Sequence, residues 1–145
     1  MAIFRQGNLF QENGIKFVTG NSYLTKDLRL VMGRGAALEL KTRSPGIDKV
    51  FGDIISRTCG HLGVYGLIKH DFCGLFQVKY NFLDKADPEL IEFSAALLNA
   101  EAKKTDRIIH LNYPGIGNGK LLKEIVRPLL DTLPDNVHVW ELKED

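Results

Sequence analysis

The chain has 145 residues and a mass of 16.3 kDa, enough to bury a sizeable core in one domain and too short for two ordinary ones. Apolar residues make up 44% and charged residues 26%, which excludes a disordered chain or a fibrous repeat. The net charge of +1 excludes a protein that coats nucleic acid by bulk charge, and no apolar run approaches the ~20 residues of a membrane span.

Met1-Ala2-Ile3-Phe4-Arg5 lacks the basic start and long apolar stretch of a signal peptide, so a cytoplasmic location is expected. Residues 1–43 hold seven lysines and arginines against three acids, a bias that suits a small anionic ligand but also an exposed helix face. Gly14-Ile15-Lys16-Phe17-Val18-Thr19-Gly20 reads as a strand bounded by glycines. Gly35 to Thr42 reads as a helix with Ala36, Ala37 and Leu40 on one side, stopped by Ser44-Pro45-Gly46. Val64–Ile68 and Phe72–Val78 read as a hairpin or two adjacent strands joined at Lys69-His70-Asp71.

Asp87-Pro88-Glu89 opens a helix: Asp87 suits the N-cap, Pro88 the first helical position, and Glu89 the positive end of the dipole. Leu90, Ile91, Ala95, Leu97, Leu98 and Ala102 supply its expected buried stripe. Arg107 to Leu111 is a buried-strand candidate, Gly115 to Gly119 a turn-forming loop, Leu121 to Leu133 a helix, and Val137 to Leu142 a final strand. No repeat or linker interrupts the chain, so residues 1–145 are expected to form one α/β domain with helices on both faces of a sheet.

Two loops carry candidate chemistry. Met32-Gly33-Arg34-Gly35-Ala36-Ala37 follows a short apolar step and runs into a helix. Asn112-Tyr113-Pro114-Gly115-Ile116-Gly117-Asn118-Gly119 follows a strand and precedes another helix. Glycines there let backbone N–H groups approach phosphate oxygens, and a helix N-terminus adds positive potential. Neither loop ends in the Gly-Lys-Ser/Thr of a P-loop, and neither fits the dinucleotide fingerprint. At strand C-termini the two would face one another across a crevice where α/β sheets bind ligands; the alternative is that they merely cap strands.

Taken together, the segments resemble the macro domain, the ADP-ribose-binding α/β/α module, in its compact phage and bacterial form. Gly7-Asn8-Leu9-Phe10 resembles the family's early Gly-Asp/Asn-apolar segment. Thr19-Gly20-Asn21-Ser22 with Val31 to Ala37 resembles its first ligand loop. Phe76-Gln77-Val78-Lys79 resembles the Phe-Pro-Thr-Lys segment of a glycohydrolase branch, and Pro114 to Gly119 its second phosphate loop. The nearest branch contains the terminal ADP-ribose protein glycohydrolase and the DNA ADP-ribosyl glycohydrolase antitoxins. The resemblance implies a three-layer α/β/α fold with a mixed sheet of about six strands, its two loops side by side at one end.

It also implies ligand contacts at Asn8, Leu9, Ser22, Met32, Gly33, Arg34, Gly35 and Ala36, and a diphosphate cradled by Gly115, Ile116, Gly117, Asn118 and Gly119. Asn21 would contact the distal ribose, and Lys79 would occupy the place of the branch's catalytic lysine. The implied partner is ADP-ribose or a related nucleotide, free or attached to protein or nucleic acid, with no metal, cofactor or membrane.

Four departures qualify this. Asn8 replaces an aspartate that accepts from the adenine amino group, which relaxes the expected purine preference. Gly119 falls where one glycohydrolase has an aspartate used in turnover. Lys120-Leu121-Leu122 replaces a Gly-Leu-Asp-Trp continuation, and Leu28 interrupts an Asp-Gly turn.

Lys79 has two readings. As a nucleophile attacking the anomeric carbon it needs a neutral amine, and so a pKa lowered by burial or nearby positive charge. Otherwise it is a solvated or phosphate-contacting ammonium. Asn21 or a bound water would assist water attack on ADP-ribose 1''-phosphate. Tyr23 and Tyr113 would stack on a base or ribose, or pack over the core. His110 is expected as a hydrogen-bonded core or rim histidine, His61 and His70 have no acid or thiol partner at a recognisable spacing, and Cys59 and Cys73 are expected as reduced thiols. Three functions follow: an ADP-ribosyl hydrolase, a non-catalytic nucleotide-binding module, or a structural protein with ornamental turns.

Overall fold

The computed structural model describes residues 1–143. Its strands are β1 (Ile3–Gln6), β2 (Ile15–Gly20), β3 (Leu67–His70), β4 (Cys73–Gln77), β5 (Ile109–Asn112) and β6 (Val137–Glu141). The helices are α1 (Gly35–Arg43), α2 (Ile47–Thr58), α3 (Pro88–Ala102) and α4 (Lys123–Val126). The strands form one sheet in the order β1-β6-β5-β2-β4-β3, parallel throughout except for the antiparallel β3–β4 hairpin. This is the expected mixed sheet of six strands.

Alternation along the strands divides the core between two faces. Ile15 and Phe17 of β2, Phe76 of β4, Leu111 of β5 and Val139 of β6 meet Ile91, Ala95 and Leu98 of α3 and Val126 of α4. Val18, Leu75 and Ile68 face the other way, onto Leu40 of α1 and Phe51 and Ile55 of α2. Helices therefore cover both faces, giving three layers. A parallel sheet needs that cover because its central strands are apolar on both sides.

Several sequence expectations change. The helix expected over Leu121–Leu133 is one turn of α4 followed by a 3-10 turn over Arg127–Leu130. Pro128 supplies no backbone N–H, so the regular ladder ends there. Leu97 lies exposed, whereas Ser94 is fully buried and donates its hydroxyl hydrogen to Gln77 O at 2.7 Å. β5 begins at Ile109 rather than Arg107, since Ile108 faces solvent, and it continues through Asn112. β1 and α2 carried no sequence expectation; α2 starts immediately after the Ser44-Pro45-Gly46 stop, with Gly46 left-handed at its N-cap. The Asp87 cap is as expected, accepting from Glu89 N–H at 3.0 Å.

Candidate functional site

β2 and β5 are parallel neighbours, so the segments leaving their C-terminal ends emerge at the same edge of the sheet. The two glycine loops meet there. Gly35, first residue of α1, lies against Asn118 of the second loop: a Cβ on Gly35 would sit 3.1 Å from Asn118 Nδ2. Gly35 also has φ +58°, a conformation that costs a residue with a side chain. Glycine thus answers both a backbone and a contact requirement at the seam.

The first loop is braced from within. The amide of Asn21 accepts from Tyr23 N–H at 2.8 Å and donates to Val31 O at 3.0 Å, tying both ends of the loop together. The Tyr65 hydroxyl donates to Asn21 O at 2.8 Å, and burial holds that phenol well above its ordinary pKa. Tyr23 is wedged edge-on between His61 and Phe82, with ring centroids 4.8 and 5.0 Å away. His61 Nδ1 in turn accepts from Leu24 N–H. At the loop's end no side chain caps α1, whose N-cap residue is Arg34, so its first N–H groups face the seam without a side-chain acceptor.

Gln77 joins the loops to Lys79. Fully buried at the end of β4, its Oε1 accepts from the N–H groups of Tyr65 (2.8 Å) and Gly66 (2.9 Å). Its Nε2 donates to Ser22 Oγ, Gly63 O and Lys79 O at 3.0–3.3 Å. Two residues on, Lys79 Nζ donates to the carbonyls of Phe82 (3.1 Å) and Asp84 (3.3 Å). Burial lowers the Lys79 pKa; Asp84 pulls it upward, while the charges of Arg34 and Lys120 push it down again. Two cations from two other segments, Arg34 and Lys120, therefore act on Lys79. Among the described residues, none of the three has a carboxylate within ion-pair distance, and neither Arg34 nor Lys120 makes a side-chain hydrogen bond.

The expected site residues divide by burial. Gly33, Arg34, Gly35, Gly117 and Asn118 are exposed, and Ile116 and Ala36 are half-buried. Around a Cβ built on Gly33 or Gly117 there is open space, so ligand atoms can approach backbone there. Gly115 and Gly119 are buried against Ala86, leaving no room for side chains. Leu9, Asn21, Ser22 and Met32 lie inside, where they support the loop walls. Asn8 caps a short 3-10 turn by accepting from Phe10 N–H at 2.9 Å, and its Nδ2 is turned toward Glu39 of α1.

Tyr113 packs on Phe4 in the core, with centroids 5.8 Å apart. His110 is a buried histidine held by Asn13 O and the Trp140 indole N–H. Burial raises both thiols, Cys59 and Cys73, which disfavours a reactive thiolate. Among the described residues no group of His, Cys, Asp and Glu gathers as a metal site, and no helix is long and apolar enough to cross a membrane.

Sequence reading missed Gln77, Tyr65, His61, Phe82 and Glu39. The only local signal was Gln77 standing at the second position of a Phe-x-x-Lys segment; the others reach the site through distant partners.

The sequence matches no family model and no curated protein. Solved structures do match. The macrodomain of Thermus aquaticus DarG aligns over all of this chain and 99% of its own length, with TM-score 0.69 and 23% identity. The macrodomain of Mycobacterium tuberculosis DarG aligns over the same shares, with TM-score 0.71 and 20% identity. Thermosipho africanus DarTG, solved in complex with ADP-ribose, aligns over 94% of this chain with TM-score 0.74 and 22% identity. This chain spans 40% of that longer one. At these identities the likeness establishes the macro-domain fold.

Proposed function

We propose that this macro-domain fold binds ADP-ribose or a close derivative in the cleft between Gly33–Gly35 and Gly115–Gly119, and hydrolyses an ADP-ribosyl linkage there. The observation that carries the reading is the seam of Gly35 against Asn118, flanked by backbone left open at Gly33 and Gly117. Such a seam offers N–H groups from two loops and an uncapped helix N-terminus to one diphosphate. The unpaired cations Arg34 and Lys120 favour a dianionic ligand, and the matching DarTG structure holds ADP-ribose.

In the hydrolytic reading, Lys79 attacks the anomeric carbon, the bond to the target breaks, and a Schiff base forms that water later releases. Burial and the two flanking cations favour the neutral amine this requires. Its two carbonyl partners orient Nζ and would have to be released as it turns toward the ribose. Those same carbonyls favour a second reading: a protonated Lys79 in a binding module without turnover. Asn21 would act on the ribose after exchanging one of its loop bonds. Asn8, already committed to Phe10 and Glu39, would distinguish the purines weakly.

Calorimetry with ADP-ribose and GDP-ribose tests the binding claim. Release of ADP-ribose from a modified peptide or oligonucleotide tests turnover. Binding without release supports the module; no binding refutes both readings.

A further inference from the structure

A second cavity lies at the opposite edge of the sheet from the glycine loops, where β2, β4 and β5 begin. Core side chains Ile15 and Phe17 of β2 and Ile109 of β5 close its inner end, and its volume is about 220 Å³. A cavity of about 150 Å³ already holds a benzene ring, so this one has room for a ring with a short chain. The length of β2, Ile15–Gly20, separates it from the cleft by roughly 16 Å at about 3.3 Å per residue.

The mouth is formed by the β3–β4 hairpin and the chain that leaves α3. Asp71 and Phe72 make the two-residue turn between paired His70 and Cys73, with Asp71 at φ +55°. Turns of this length select glycine, asparagine or aspartate, so Asp71 fits its place and Phe72 does not. Nor does Phe72 serve the core, for it is 63% exposed. It lines the cavity instead, and the Arg107 guanidinium lies 5.6 Å over its ring centre. Charge at the mouth is uneven. Glu101 pairs with Lys104 at 3.8 Å, and Asp71 lies 3.7 Å from the His70 ring. Among the described residues, Lys69 and Arg107 have no carboxylate within ion-pair distance and their side chains make no hydrogen bond. Three cations against two acids leave one positive charge in excess. That excess suits a monoanion, whereas a dianion would be repelled by Asp71 and Glu101.

We infer that this cavity binds a small carboxylate with an aromatic or branched apolar body, of the arylalkanoate kind. The planar guanidinium of Arg107 matches a carboxylate with two parallel N–H groups, and Lys69 adds a second charge. Phe72 and the apolar inner end receive the body. The site is independent of the cleft and of what the cleft binds.

Titration of isotope-labelled protein with phenylpropanoate, followed by two-dimensional NMR, tests it. The amides of Ile15, Phe72, Arg107 and Ile109 should move together with a dissociation constant on the order of 1 mM or tighter, while those of Gly33 and Gly117 stay in place. Phenylpropanamide, which lacks the charge, and acetate, which lacks the body, should each bind about tenfold more weakly. Arg107→Gln should weaken phenylpropanoate about tenfold and leave phenylpropanamide within about twofold, a split that general loosening of the protein would not give. Phe72→Ser, at an exposed position, should weaken both ligands. ADP-ribose should not displace the carboxylate. Amides that stay still at about 10 mM phenylpropanoate overturn the site. So do equal affinity for either control, an unaffected Arg107→Gln or Phe72→Ser protein, and displacement by ADP-ribose.

Discussion

Gln77→Leu should destabilise the protein far more than an ordinary polar-to-apolar change. The substitution keeps the approximate volume but removes all five side-chain hydrogen bonds that join residues 22, 63, 65, 66 and 79. The decisive losses are the N–H groups of Tyr65 and Gly66, since a donor left unpaired inside a protein costs about 1–3 kcal/mol. At about 2 kcal/mol each they cost roughly 4 kcal/mol, offset by about 1 kcal/mol from the added apolar burial. The net loss of about 3 kcal/mol corresponds to a Tm lower by roughly 9 °C for a chain of this size.

Urea unfolding followed by tryptophan fluorescence and circular dichroism measures the loss directly. Gln77→Glu supplies an internal check. Its carboxylate would face the carbonyls of Gly63 and Lys79, so the folded protein should hold that carboxyl above its unfolded pKa. Stability contributed by the protonated form is then present at low pH and lost as pH rises through the folded value. A Gln77→Leu protein within 1 kcal/mol of wild type would refute the claim that this amide organises the segments around it.

If Lys79 is the nucleophile, Lys79→Ala and Lys79→Arg should both abolish release of ADP-ribose from an adduct while ADP-ribose still binds, and borohydride should trap a covalent species on the wild type alone. Wild-type turnover should then rise with pH toward an inflection below the ordinary lysine value, because burial lowers Lys79; an active Lys79→Ala protein excludes covalent catalysis. Gly33→Ala meets nothing within 4 Å and needs no left-handed backbone, so Tm should hold within about 2 °C while ADP-ribose affinity falls at least tenfold; unchanged calorimetry would show that the ligand does not approach there. His110 is kept neutral by burial, with Nδ1 accepting from Trp140 and Nε2 donating to Asn13 O. Its folded pKa lies below its unfolded value of 6.5, so stability in urea should fall as pH drops below about 6.5, and His110→Gln should flatten that decline.

Local chemistry made much of the fold legible. The Asp87-Pro88 start, the Ser44-Pro45-Gly46 stop and the bounded strands are decided by dihedral preference and capping within a few residues. The glycine loops were visible for the same reason, since backbone that must turn left-handed or lie open to a ligand selects glycine. Lys120 and Leu28 show the limit: both adopt positive φ without being glycine, and only the surrounding hydrogen bonds explain how each is held. The fate of Asn21 was equally hidden, because its partners at Tyr23 and Val31 depend on how the loop closes.

Residue type and spacing were enough to mark the alternation of strands and helices and the two glycine loops. The contact of the loops at Gly35 and Asn118, the five bonds made by Gln77, and the effect of Arg34 and Lys120 on Lys79 come instead from tertiary packing. The two differ in range: capping and turn chemistry act over a few residues, whereas Arg34 and Lys120 act on Lys79 only because parallel β2 and β5, beside β4, deliver their loops to one edge of the sheet.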